Sequence, residues 1–174
     1  MHHPPPVILS ARLKLCELGL DDARFILELL NDAGFLRFIG DKGVRTLADA
    51  REYISQGPVE SYRRFGFGLY LASLRDSGAP IGICGLVKRE TLPDADVGFA
   101  FLSRHWSKGY AAEAAAAVLD HGRNTLGIQR IVAITAPDNY GSIAVLEKIG
   151  LRFEGMIHLA EGGPELKLFG PPPP

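Results

Sequence analysis

A chain reversal past the middle of the sequence constrains the fold more than any other feature. The strand-like run Asp96-Val97-Gly98-Phe99-Ala100-Phe101-Leu102 leads through Trp106-Ser107-Lys108-Gly109-Tyr110 into the alanine-rich Ala111-Ala112-Glu113-Ala114. A strand that feeds a tight turn and opens a helix leaves several backbone N–H groups unpaired at one place. The helix dipole adds partial positive charge there. Together they predict an anion site suited to a phosphate or pyrophosphate. Gly109 lets the backbone approach the anion because no Cβ intervenes, and Ala111 keeps the next turn slim.

The remaining elements can be placed around this junction. Alternation over residues 7–18 predicts a first strand, with Leu9, Ala11, Leu13 and Leu15 on one face and Arg12 and Lys14 on the other. Residues 20–31 form an amphipathic helix with Phe25, Ile26, Leu29 and Leu30 as its buried stripe, and residues 35–44 a loop holding Gly40 and Gly43. Thr46-Leu47-Ala48-Asp49 has the pattern of a capping box and opens a second helix that ends near Gly57-Pro58. Strands over 65–74, 80–88 and 95–102, joined by short turns, predict an antiparallel meander. A helix over 110–125, a β-branched strand over 129–135, a helix over 142–149 stopped by Gly150, and a hairpin of 151–157 with 165–169 complete the chain. The proline runs at Pro4 to Pro6 and at residues 171–174 cannot continue a helix or a sheet interior. They predict disordered ends over 1–6 and 171–174, around a single domain of residues 7–170.

Composition narrows the function classes. A formal net charge of −1 gives no electrostatic footprint for nucleic acid. No apolar run approaches a membrane span, and the N-terminus lacks the apolar segment of a secretory signal. Cys16 and Cys84 show no metal spacing, and the five histidines show no ligand pattern, so no metal is expected. Reduced thiols and the absence of a signal point to the cytoplasm. Neither Gly-x-x-x-x-Gly-Lys-Ser/Thr nor Gly-x-Gly-x-x-Gly occurs, which argues against ATP or a dinucleotide as the anion.

A second segment follows the turn by about thirty residues: Asn139-Tyr140-Gly141-Ser142 opens a helix that ends in Glu147-Lys148-Ile149-Gly150-Leu151. The Trp-x-x-Gly-Tyr-Ala-x-Glu-Ala turn and this helix, in this order, resemble the GNAT family of acetyl-coenzyme A-dependent N-acetyltransferases, in its RimJ/RimL-like branch. The resemblance extends from about Ser10 to Phe169. It implies an α/β (α+β) GNAT fold: a mixed, strongly curved sheet of about seven strands with about four helices on both faces, in the order β-α-α-β-β-β-α-β-α-β-β. It also implies acetyl transfer from acetyl-coenzyme A (acetyl-CoA) directly to a primary amine, either a protein N-terminus or a small molecule. A non-catalytic acyl-CoA-binding module is the alternative, and a purely structural domain a further one. A monomer or a homodimer fits equally.

The resemblance assigns roles residue by residue. The amides of Trp106, Ser107, Lys108, Gly109, Tyr110 and Ala111 cradle the pyrophosphate, while the main chain of Phe101, Leu102 and Ser103 pairs with the pantetheine arm. Asn139 contacts pantetheine, and Ser142 sits near the sulfur to protonate the departing thiolate, with Tyr140 its rival. On the residues alone, Asn139 is equally an N-cap and Ser142 a first-turn residue. Gly98 suits a bulge that aims an N–H at the thioester oxygen, or it relieves packing. Asp96 is the favoured base, with Glu90 and Asp94 behind it; carboxylates beside a turn also serve simply as solubilising groups. Three departures stand out. Ser103 replaces a frequent proline, Ser107 replaces a frequent glycine, and Cys16 stands where the first strand often carries an arginine.

Overall fold

The structure, a computed structural model, describes residues 4–174; the first part of the predicted disordered N-terminus, residues 1–3, lies outside the described residues. Residues 4–6 and 171–174 carry no regular secondary structure.

The first predicted strand is broken by its own polar turn. Ile8–Leu9 (β1) folds back on Leu13–Glu17 (β2), with Ser10 N–H donating to the Leu13 carbonyl at 2.9 Å. Leu13 and Leu15 are buried as the alternation predicts, but Leu9 turns outward and is 58% exposed. The reversal holds because a distant carboxylate, Glu113, accepts from the Ser10 hydroxyl and the Arg12 amide, both at 2.7 Å.

A single 3-10 turn, Leu20–Asp22, precedes Ala23–Leu30 (α1), whose Phe25, Ile26, Leu29 and Leu30 are buried. The predicted loop from Phe35 starts instead as a helix, Ala33–Phe38 (α2), because the Asp32 side chain caps it by accepting from Gly34 N–H. Thr46 and Asp49 do form the capping box, at the start of Leu47–Ile54 (α3). The chain does not stop at Gly57-Pro58. It passes through a wide π turn, Ser55–Val59, into Glu60–Phe65 (α4), which ends at Gly66 in the left-handed region, φ 76°. A helix tolerates Pro58 there because the π turn already departs from the i to i−4 ladder that proline would break.

The meander is Leu69–Leu74 (β3), Pro80–Val87 (β4) and Ala95–Phe101 (β5). Then come Tyr110–Asn124 (α5), Ile131–Thr135 (β6), Tyr140–Lys148 (α6), Arg152–His158 (β7) and Glu165–Gly170 (β8). The eight-stranded sheet has the order β1-β2-β3-β4-β5-β6-β8-β7. The extra strand relative to the predicted seven is the split at Ser10, and the extra helices are α2 and the continuation into α4. Every neighbouring pair is antiparallel except β5 with β6.

Apolar residues cover both faces. Ala114, Ala115, Val118 and Leu119 of α5 pack with Leu13, Leu15, Ile81, Val97 and Ile131. On the other face Ile26, Leu29 and Ile54 pack with Leu71, Ile83 and Leu102. Each fully buried aliphatic side chain contributes about 1.5–3 kcal/mol. The two layers hold β5 rigidly between them, and β5 carries the turn.

Candidate functional site

Ser103–His105 forms a 3-10 turn beyond β5, and two residues then enter the left-handed region, Ser107 at φ 60° and Gly109 at φ 82°. Gly109 takes this conformation freely, whereas at Ser107 it costs about 1–2 kcal/mol. The Trp106 N–H donates to the Ser103 carbonyl at 3.1 Å, and the first bond into α5 is Glu113 N–H to the Gly109 carbonyl. The N–H groups of residues 107–112 between them donate to no acceptor among the described residues. The run of free amides is thus offset by one residue from the expected 106–111: the Trp106 N–H is engaged and that of Ala112 is free among the described residues.

The turn is tied down from two sides. From β1–β2, Arg12 Nε donates to Glu113 Oε2 at 2.7 Å, its Nη1 donates to the Lys108 carbonyl at 2.9 Å, and its guanidinium lies 4.5 Å from the Tyr110 ring centre. Burial alone would raise the Glu113 pKa, but the bonds from Ser10 and Arg12 outweigh it and hold the carboxyl below its usual range. From α2, Asp32 accepts from both the hydroxyl and the N–H of Ser103, and these bonds overcome desolvation to lower its pKa. Trp106 Nε1 donates to the Phe101 carbonyl at 2.8 Å, and its ring lies against Gly34, where a Cβ would stand 2.3 Å from Cζ2. Ser103 in place of proline is thus the donor that joins the turn to the α2 cap. An open cleft of about 450 Å³ fronts the turn, lined by Arg12, Lys108, Gly109, Ala112, Glu113 and Lys148.

Next to the turn the sheet opens. β6 pairs with β5 only at Ala95 with Ile131 and Asp96 with Val132. The Leu102 N–H bonds to the Ile81 carbonyl at 3.0 Å. By the period of two, the backbone groups of residues 96, 98, 100 and 102 address β4, and those of 97, 99 and 101 address the opening. Of the predicted trio, Leu102 and Ser103 have their N–H groups engaged, and Phe101 has its carbonyl engaged by Trp106. Phe101 keeps its N–H, and Phe99 presents both groups to the opening. Phe99 was missed, although the alternation identifies it once a single β4–β5 bond is known. The expected bulge at Gly98 is absent. Gly98 stands in continuous register opposite Gly85, so its N–H points to β4.

At the start of α6, Asn139 Oδ1 accepts from Ser142 N–H at 3.2 Å, an N-cap. The half-buried Ser142 keeps its hydroxyl free of hydrogen bonds among the described residues. Tyr140 is 76% exposed.

The candidate bases separate. Asp96 is 1% exposed, and its Oδ1 accepts from Arg89 Nε at 3.0 Å. Burial pushes its pKa up, and the Arg89 charge opposes this. Its Oδ2 accepts no hydrogen bond among the described residues. Glu90 is exposed in the turn after β4, and Asp94 is held by Arg130 at 3.1 Å. A second cleft, about 280 Å³, lies on the α3–α4 side, lined in part by Tyr53, Arg64, Phe65, Leu69, Val87 and Lys88. Two of its lining residues, Leu69 and Val87, also stand beside β5 at Gly98, where a Cβ would lie 3.6 Å from Leu69 and 3.7 Å from Val87. Tyr53 also feels the charge of Arg89, which partly offsets the rise in its phenol pKa from burial. One cleft thus fronts the turn with the free amides, the other lies against the α3–α4 side, and β5 opens after Asp96.

Comparison with known proteins agrees with this geometry. The family described as acetyltransferase (GNAT) domain matches residues 12–152. The uncharacterized N-acetyltransferase YnaD of Bacillus subtilis is 30% identical over 148 residues, covering 85% of this chain and 84% of that protein. A solved acetyltransferase from Agrobacterium tumefaciens superposes with a TM-score of 0.81 at 25% identity, covering 98% of this chain and 96% of that one. RimL, a ribosomal L7/L12 alpha-N-protein acetyltransferase solved with coenzyme A, shares the fold with a TM-score of 0.81 at 17% identity, over 95% of this chain and 97% of its own.

Proposed function

The chain belongs to the GNAT acetyltransferase family, an acetyl-transferring enzyme with RimJ/RimL-like features, and we propose that it moves acetyl from acetyl-CoA directly to a primary amine. The observation that carries this reading is the run of free amides over residues 107–112, adjoining the unpaired edge of β5. The amides, with Lys108 and Lys148 beside them, suit the pyrophosphate. The carbonyl of Phe99 and the N–H of Phe101 suit the amide groups of the pantetheine arm, seated where β6 leaves β5 unpaired.

The amine enters from the second cleft, past Gly98. An α-amino group of a protein, with a pKa of about 7.7–8.0, is roughly 10–17% neutral at pH 7 and needs little help; a lysine is neutral about once in a few thousand. Asp96 Oδ2 takes the proton, and the buried Arg89 pair fixes the carboxylate in place. The Phe99 N–H is the donor that steadies the developing oxyanion, worth a few kcal/mol when fixed in advance, about 3 by the usual measure. Ser142 Oγ gives a proton to the departing thiolate. Holding the two substrates in line supplies much of the rate.

Calorimetric titration with acetyl-CoA, followed by thiol release over an amine panel, tests the reading. Binding in the micromolar range and acceptor-dependent thiol release are expected. Absence of cofactor binding would remove the proposal.

A further inference from the structure

The second cleft has a charge pattern that selects among amines. Its one carboxylate, Glu60, is engaged on both oxygens by Arg63, at 2.8 and 2.5 Å. Its two cations, Arg64 and Lys88, make no contact ion pair among the described residues, and Glu60 and Asp96 act on them only at longer range. Arg64 makes no ion pair or hydrogen bond among the described residues and lies 5.0 Å from the Phe65 ring centre, which holds the guanidinium in place. Lys88 Nζ donates only to the Leu92 and Pro93 carbonyls, at 3.2 and 2.5 Å. Arg89, just beyond, has its Nε on Asp96 while its other nitrogens bond to nothing among the described residues. Between these cations and β5 the wall is apolar, with Phe65, Leu69 and Val87.

An acceptor with a second ammonium group meets like charges along the lining of such a cleft, where the one carboxylate, Glu60, is already engaged. An acceptor with a carboxylate meets a guanidinium suited to bidentate contact, with a lysine beside it. The volume of about 280 Å³ fits a small molecule. We infer that the acceptor is an amine of the amino-acid class, carrying a carboxylate and an apolar side chain, with Arg64 as the residue that selects the carboxylate. This rests on the acetyl-CoA reading above. In the reaction the amine nitrogen forms the new amide bond and the thioester C–S bond breaks; the ammonium gives its first proton to Asp96, which passes it to water, and the second N–H proton, lost as the amide forms, replaces the one that Ser142 hands to the departing thiolate.

The test compares leucine, leucinamide, isoamylamine and spermidine as acceptors, with rates referred to the neutral amine, in the intact protein and in Arg64→Gln and Arg64→Lys variants. The expected result is a kcat/KM for leucine at least tenfold above the other three. In Arg64→Gln that advantage collapses through KM, and Arg64→Lys restores part of it. Spermidine or leucinamide used as well as leucine overturns the inference, as does an Arg64→Gln loss that is equal for all acceptors. So does cofactor binding with no leucine acetylation, which leaves the acetyl-CoA seat standing. Failure to bind acetyl-CoA at all removes the proposed function and this inference with it.

Discussion

The turn before α5 and the wall of the second cleft are built in opposite ways. The turn is gripped from β1–β2 through Arg12 and Ser10, and from α2 through Asp32 and Gly34, so that elements far apart in sequence converge on residues 103–113. The cleft wall formed by α4 has no fully buried residue. It follows a π turn, and it is pinned mainly by the Tyr62 hydroxyl on the Leu69 carbonyl and the Ser61 hydroxyl on the Phe67 carbonyl. If the proposed roles hold, the difference teaches that the part assigned to an invariant group is over-determined, whereas the part assigned to the variable partner is held by few contacts. A fold can keep one chemistry and change its acceptors through such a division.

Substitutions in the turn should have the larger effects. Gly109→Glu places a Cβ where φ is 82°, 3.3 Å from Arg12 Nη2, and brings a negative charge into the cradle. Loss of acetyl-CoA binding by at least a hundredfold is expected by calorimetry, with the fold retained by circular dichroism. Glu113→Gln removes the charge that Arg12 and Ser10 share and should lower stability by about 2–3 kcal/mol, read from denaturant midpoints. The sign with pH follows from its lowered folded pKa. The Glu113 contribution is full above the ordinary glutamate value and is lost as pH falls through the lower folded value, so the gap between the two proteins should close in acid.

On the cleft side the expected changes are in rate. Asp96→Asn should reduce kcat/KM by about 10²-fold while leaving the acetyl-CoA Kd within twofold. Because burial raises the Asp96 pKa, the wild-type rate should fall with decreasing pH at a midpoint above that of an ordinary aspartate, and the variant should lose that limb. The smallest effect is expected back in the turn. Ser107→Gly relieves the left-handed strain at φ 60° and should stabilise the protein by about 1 kcal/mol. A destabilised Ser107→Gly would show that the turn gains from a stiff backbone there, and would weaken the contrast drawn between the two regions.

Much of the architecture was legible because it rests on local rules. The stripe Phe25, Ile26, Leu29 and Leu30 declares α1, the Thr46–Asp49 box declares the start of α3, and Gly109 before an alanine run declares the anion turn. What the sequence hid depends on partners far away. The reversal at Ser10 is stabilised by Glu113, a hundred residues on, and strict alternation through that region masks it. Residues 35–44 read as a loop, yet α2 begins just before them, where Gly34 leaves room for the Trp106 ring. At the candidate site the run of free amides was readable to within one residue. Phe99 was not, because which edge of a strand a backbone group faces depends on register, which side-chain patterns do not encode. The Asp96–Arg89 pair escaped notice because it spans the turn between β4 and β5.

The short seam between β5 and β6 has a mechanical consequence. Backbone pairing joins the meander to the β6–β8–β7 part of the sheet only at Ala95 with Ile131 and Asp96 with Val132; the Arg130–Asp94 pair and the core shared with α5 make the rest of the joint. The part carrying β7 should then open at lower free energy than the meander. A ligand lying in the gap would bond to both margins and merge the two into one unit. Amide hydrogens of β6 and β8 should then exchange more slowly when acetyl-CoA is present, while those of β3, buried deep in the meander, should change little.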